Sequence, residues 1–230
     1  MNLNLLILFP LLTAIGILFC RELRQVRTLA LLGAIGQLIL SGFLCYAFLQ
    51  ERAAGNSAQM LFEFSAAWFP SLHVNYHIGV DGISVSMILL TACIVLAGVL
   101  VSWTVETMSR EFFFLLLLLS LGAYGYFIAL DIFTLFFFLE ISVIPKFLLI
   151  GIWGSGKKEY SALKLALMLM GGSALLFVGL AGLYFNSAAA GGSYSFDILE
   201  IAARKIPLDA QLFFFPFIFL GFGIFTGALF

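Results

Sequence analysis

Charge is scarce in this chain. Of its 230 residues, Lys and Arg supply 11 and Asp and Glu 12, so charged side chains make up 10% of the sequence. A soluble domain carries about 25%. With 63% of residues hydrophobic, the chain reads as an integral membrane protein. The net charge of −1 provides no basic surface, which excludes nucleic acid as a partner. Cysteine is also rare. Cys20, Cys45 and Cys93 each lie in or at the end of an apolar run and none belongs to a CxxC pair, which argues against a disulfide framework or a metal knot. Histidine occurs twice, as His73 and His77. Their stretch reads as extended and offers no acidic ligand at a suitable offset, so both are read as surface residues and no metal is expected. There is no GxGxxG after a strand, no P-loop and no Ser/His/Asp set. No binding of NADH, flavin, haem or an iron–sulfur cluster is expected.

What is abundant is long apolar sequence. Seven segments approach the twenty or so residues needed to span a bilayer. They run roughly over Leu3–Cys20, Thr28–Leu49, Ile83–Trp103, Phe112–Leu130, Ile132–Trp153, Ala162–Phe185 and Leu212–Phe230. The first has no basic residue ahead of it and is followed by Arg21, Arg24 and Arg27, so it reads as a retained helix and not a signal peptide. The interval Gln50–Gly82 holds short aromatic and β-branched runs around a Phe-Pro-Ser turn, the pattern of a small hairpin on the membrane surface. Phe196–Lys205 (FDILEIAARK) has the apolar spacing of an amphipathic helix lying along the interface. The expected fold is all-α: a polytopic transmembrane bundle of about seven helices, with a short extracytoplasmic β-hairpin and one amphipathic surface helix. Asp81 and Asp131 are placed to cap the third and fifth helices. Two parts are expected, 1–110 with helices 1–3 and the hairpin, and 111–230 with helices 4–7.

Orientation follows from the basic residues of the short loops. Arg21, Arg24, Arg27, Arg110, Lys157 and Lys158 lie on one side; Arg52, Arg204 and Lys205 lie on the other. This predicts an N-terminus outside, odd-numbered loops in the cytoplasm, and the hairpin and amphipathic helix on the outer face. The last apolar run reaches Phe230 without a charged or aromatic flank, which suggests the front part of a longer protein or one completed by a partner.

The chemistry concentrates in DIFTLFFFLEISVIPKFLLIGIW (residues 131–153). A carboxylate near mid-membrane costs a few kcal/mol on insertion scales, so Glu140 must face protein or water. Pro145 has no N–H to give the carbonyl of Ile141, which breaks the helix beside Glu140. Glu140 reads as a protonatable relay group; its bland alternative is a structural carboxylate bonded to a neighbouring hydroxyl. Lys146 lies about 10 Å from the cytoplasmic end and Lys164 enters the sixth helix at comparable depth. Both could line a water path to Glu140, or simply snorkel to the interface. The runs Phe112–Phe114, Phe136–Phe138 and Phe213–Phe215 read as lipid-facing or packing residues. Gly171, Gly172 and Ser173 read as small residues that permit close helix approach.

These stretches resemble a known family. NYHIGVDGISVSMILLT (Asn75–Thr91), the fifth segment with its central Glu, following Pro and terminal IWG, and KKEYSALKLALMLMGGSALL are similar to the antiporter-like membrane subunits of respiratory complex I, most of all subunit M, the counterpart of mitochondrial subunit 4. The resemblance runs through the whole chain in order. It implies a proton-translocating subunit of NADH:quinone oxidoreductase in the inner membrane, with other complex I membrane subunits and the lipid bilayer as partners and no redox cofactor or NADH site of its own. In the family such subunits have about fourteen helices in two inverted five-helix repeats, and 111–230 would be the start of the first. Glu140 would be the essential glutamate of the fifth helix and Lys164 the lysine of the sixth. The chain departs from the pattern in two ways: the sequence ends within the seventh helix, so the second repeat and the central lysine of the eighth-helix region are not in it, and the lysine often found in the seventh helix is absent from Leu212–Phe230, where Thr226 is the nearest polar candidate. Lys146 also stands where many relatives have an apolar residue. The same motifs occur in subunits of multi-chain sodium/proton antiporters and membrane-bound hydrogenases. A non-conducting piece that only scaffolds assembly is the alternative from another class.

Overall fold

The computed structural model describes residues 2–70, 74–188 and 193–227. Helices α1 (Asn4–Phe19), α2 (Leu23–Ala53), α3 (Gly82–Val101) and α4 (Ser109–Ile128) come first, with a β-hairpin of β1 (Leu61–Phe69) and β2 (Val74–Val80) between α2 and α3. Then follow α5 (Ile132–Ile141), α6 (Val143–Trp153), α7 (Lys158–Ser187), the short α8 (Ile198–Ala203) and α9 (Leu208–Thr226). Counting α5 and α6 as one broken span, six helices among the described residues are long and apolar enough to cross a bilayer. α1, at 16 residues, is shorter. The chain is a multi-pass helical membrane protein. Its outward side chains fit that setting: Leu12, Ile39, Leu167 and Phe215 are all exposed on helix faces that lipid would cover.

Local sequence explains the boundaries. The Asp81 side chain accepts from Ser84 N–H and starts α3; Asp131 accepts from the N–H groups of Phe133 and Thr134 and starts α5. Asp197 does the same for α8 through Leu199 and Glu200. The amphipathic stretch is therefore shorter than the ten residues expected: Asp197 sets its start and Arg204, in extended backbone, ends it. Its six residues rise only about 9 Å.

The hairpin does more than lie on a surface. β1 and β2 pair antiparallel, Ser65 opposite His77 and Ala67 opposite Asn75, with bulges near each end. Leu61, Ile78 and Val80 are buried with Leu3, Leu6, Leu44, Ile88, Tyr124 and Ile128 in one core cluster shared with α1–α4. A second cluster, around Ile17, Ala30, Val99 and Phe113, fills the other end of these helices. A third joins Ile132 and Leu139 of α5 to Leu176 and Leu180 of α7 and Ile201 of α8.

Small residues set how closely the second group of helices packs. A Cβ on Gly122 of α4 would lie 2.9 Å from the Phe138 carbonyl oxygen and 3.1 Å from Ser142 Cβ, so α4 meets the broken span backbone to backbone. A Cβ on Gly172 of α7 would lie 2.8 Å from Ile224 Cγ2, and one on Gly221 of α9 2.8 Å from Leu176 Cβ. This is the small-residue packing that holds membrane helices together where lipid provides no hydrophobic drive. Gly171, expected to share the role, faces open space.

Candidate functional site

The fifth span divides at Ser142. α5 ends with Glu140 and Ile141, and α6 begins at Val143. The N–H and hydroxyl of Ser142 both donate to the Leu139 carbonyl, at 3.2 and 2.7 Å, a tighter turn than an α-helix makes. Pro145, buried three residues further on, gives no N–H to the Ile141 carbonyl. Gly122 of α4 admits this irregular backbone against the bundle interior. Non-helical backbone at membrane depth survives only where protein or a cavity covers it.

Glu140 is half-buried at this break. Its Oε1 accepts a hydrogen bond from Ser173 Oγ of α7 at 2.5 Å, and the same Oγ lies 2.9 Å from the Leu169 carbonyl oxygen. No ion pair among the described residues includes Glu140. Lys146 is half-buried and within electrostatic reach of Glu140, without touching it. Lys146 also lines a cavity of about 460 Å³ between α3, α4, the broken span and α9, whose other polar walls are Thr91, Ser120, Ser142, Tyr126 and Thr226. Thr226 donates to the Gly223 carbonyl, so its hydroxyl hydrogen is engaged on its own helix. Lys164 is exposed on α7, nine residues before Ser173, which is about 13 Å along the helix. Glu140 and Ser173 are thus in contact, Lys146 is close by, and Lys164 stands apart.

Sequence alone gives Ser173 as a small residue for close packing; the structure adds its hydrogen bond to Glu140. Depth gives the missing signal. Glu140 lies 13 residues before Trp153 and Ser173 lies 15 residues after Lys158, or about 20 and 22 Å from the same membrane face. A hydroxyl matched in depth to a carboxylate on the neighbouring span is a candidate partner.

A second polar assembly corrects the reading of His77 as a surface residue; His73 lies outside the described residues. The His77 side chain is only 13% exposed, with Nδ1 2.5 Å from Asp197 Oδ2 and Nε2 3.4 Å from Glu63 Oε2. The backbone locks the same junction: Leu130 N–H donates to the His77 carbonyl, Ile198 N–H to Leu130, and Ile132 N–H to Phe196. Hairpin, α4–α5 linker and α8 are therefore tied together at the start of α5. The sequence places His77 in an extended stretch, but only the chain's return after α7 brings Asp197 to it. Asp131, in the same junction, is held above the usual aspartate range chiefly by burial; backbone N–H groups of Thr134, Asn75 and Phe133 oppose this, and the Asp197 charge adds to it.

A bundle with a carboxylate, a lysine and a helix break inside one span defines a polytopic membrane protein with ionisable groups in its interior. Residues 129–230 match the family described as NADH:quinone oxidoreductase/Mrp antiporter, TM. The NAD(P)H-quinone oxidoreductase chain 4 2 of Microcystis aeruginosa is 34% identical over 224 residues, 96% of this chain and 39% of the relative. A chain in respiratory complex I from Thermus thermophilus with bound NADH superposes with a TM-score of 0.80 at 25% identity, over 96% of this chain and 43% of that one. A chain of the Mrp complex from Dietzia gives 0.75 at 19% identity, over 96% and 40%, which shows the shared fold. Residues 129–230 carry a domain of this family, and 96% of the chain is similar to these antiporter-like membrane subunits. The chain spans about two fifths of the length of the curated relatives it matches.

Proposed function

We propose that the chain acts in proton translocation as part of an antiporter-like subunit of NADH:quinone oxidoreductase. In this reading Glu140 takes up and releases a proton within the membrane. Lys146 sets the local charge beside it, and Lys164 stands nearer the cytoplasmic surface on the path to it. Quinone reduction elsewhere in the complex supplies the driving force, so this chain needs no redox centre of its own. The observation that carries the reading is a carboxylate at the break of a membrane span with the Lys146 cation in electrostatic reach; the Ser173 hydrogen bond alone suits a structural carboxylate equally well. A carboxylate there is costly to keep, and Lys146 of the same span places a cation within its electrostatic reach.

Other membrane-arm subunits are the proposed partners. The setting is the inner membrane, with the N-terminus, hairpin and α8 on the extracytoplasmic side; the excess of Arg and Lys in the odd-numbered loops supports this. A second reading, a subunit of a multi-chain sodium/proton antiporter, draws on the likeness to the Mrp complex and on the family's own description.

The test is Glu140→Gln, which keeps the shape and removes the titrating group. Proton uptake by NADH-energised vesicles should fall at least about tenfold, with the complex assembled on a native gel. Normal pumping by the assembled variant refutes the reading and leaves Glu140 as a structural carboxylate. Vesicles that respond to a sodium gradient and not to NADH favour the antiporter.

A further inference from the structure

Ser173 has one hydroxyl hydrogen and two acceptors in reach. Its Oγ is 2.5 Å from Glu140 Oε1 and 2.9 Å from the Leu169 carbonyl oxygen four residues back on α7. The first distance is that of a hydrogen bond with an ionised partner or a protonated acid, and the second is an ordinary back-bond to the helix. One hydrogen serves one of them at a time. When Glu140 is ionised, the hydroxyl donates to the carboxylate. When Glu140 carries a proton, the acid donates to Ser173 Oγ, and the hydroxyl hydrogen turns to Leu169. In both arrangements the Glu140–Ser173 hydrogen bond is complete.

We propose that Ser173 is a positioning residue that keeps Glu140 hydrogen-bonded in both protonation states by turning its single O–H between Glu140 and the Leu169 carbonyl. The inference rests on the proposed role of Glu140 as a titrating group. No covalent bond to carbon changes. The proton that arrives stays on Glu140, and the Ser173 hydrogen only rotates about the Cβ–Oγ bond. Glu140 does not have to leave its place to change charge, because each state already has its partner. Without Ser173 the protonated acid would lose this acceptor, and the carboxylate would lose a charge-assisted bond.

Few other groups compete for the carboxylate. Lys146 of α6 acts on it by charge alone. On α7, Lys164 lies nine residues before Ser173, and α4 contributes the phenol of Tyr126 to the cluster around Leu139. Asp209, the acidic residue of α9, sits in that helix's first turn, far along the chain from Gly221 and Ile224, which pack on α7 near Ser173.

The experiment is infrared difference spectroscopy of the intact membrane complex that contains this chain, titrated with acid. The carboxylic C=O band lost in Glu140→Gln is assigned to Glu140. In Ser173→Ala that band should move to higher wavenumber, as for an acid released from its hydrogen bond. Ser173→Thr, which keeps the hydroxyl, should restore the wild-type position. Ser173→Cys keeps the volume with a weaker partner, so its band should fall between the two. A Glu140 band that Ser173→Ala and Ser173→Cys both leave in place overturns the inference while leaving the role of Glu140 intact. If Glu140→Gln removes no band at any pH, the role of Glu140 fails, and the inference with it.

Discussion

Asp131 gives the sharpest prediction about what holds the broken span in place. Its side chain is almost fully buried, at 1% exposure. Oδ1 accepts from Phe133 N–H at 2.9 Å and Thr134 N–H at 3.0 Å, and Oδ2 from Asn75 N–H of β2 at 3.4 Å. Asp131→Ala removes the cap, worth about 0.5–2 kcal/mol. It also leaves buried donors unpaired, at about 1–3 kcal/mol for such a group. The shared donors make these overlap, so the expected loss is about 2–4 kcal/mol. Asp131→Asn keeps a capping oxygen and should lose no more than about 1 kcal/mol, since Asn caps as well as Asp. The pH dependence separates the two carboxylate roles. Burial raises the Asp131 carboxyl above its usual range, so the folded protein holds a proton that the unfolded chain releases. Stability from this group is present below the usual aspartate range and is lost as pH rises through the raised one. Asp131→Asn should abolish that part of the pH slope. Equilibrium unfolding in mixed micelles, followed by labelling of the half-buried thiols Cys20 and Cys45, measures both effects. An alanine variant as stable as wild type, or an asparagine variant with the full pH slope, would refute the reasoning.

Two further variants probe the frame around the site. His77→Ala removes the contact to Asp197, a charge-assisted bond worth about 1.5–3 kcal/mol. Trypsin should then cut after Arg204 at least about tenfold faster, and an unchanged rate would show that the backbone bonds alone hold the junction. Gly122→Val places a branched side chain against the Phe138 carbonyl oxygen and Ser142. It should destabilise the protein by about 1–3 kcal/mol and lower proton pumping more than a matched change at the open Gly171, which pumping and thermal-unfolding measurements on the two variants would compare.

The sequence alone determined the setting and the lengths. With 10% charge and seven long apolar runs, the chain has nowhere to bury its surface but lipid, and hydrogen bonding in lipid forces those runs into helices. Short aromatic and β-branched runs around the Phe-Pro-Ser turn specified the hairpin, and aspartates at helix starts specified the caps of α3 and α5. Glu140, Pro145 and Lys146 stood out because charge and proline are costly at membrane depth, a property of single residues that needs no neighbours. What the tertiary structure decided were pairings between distant segments. Ser173 is an ordinary small residue until α7 packs beside the broken span and brings its hydroxyl to Glu140. His77 is one more polar residue on a strand until the return of the chain sets Asp197 against it, 120 positions away. Gly122 and Gly172 matter, and Gly171 does not, only because of which helix lies opposite each. Helix formation depends on neighbours a few residues apart and is written along the chain. Which helix faces meet depends on how all the side chains fit together at once, and that is fixed only when the chain is folded.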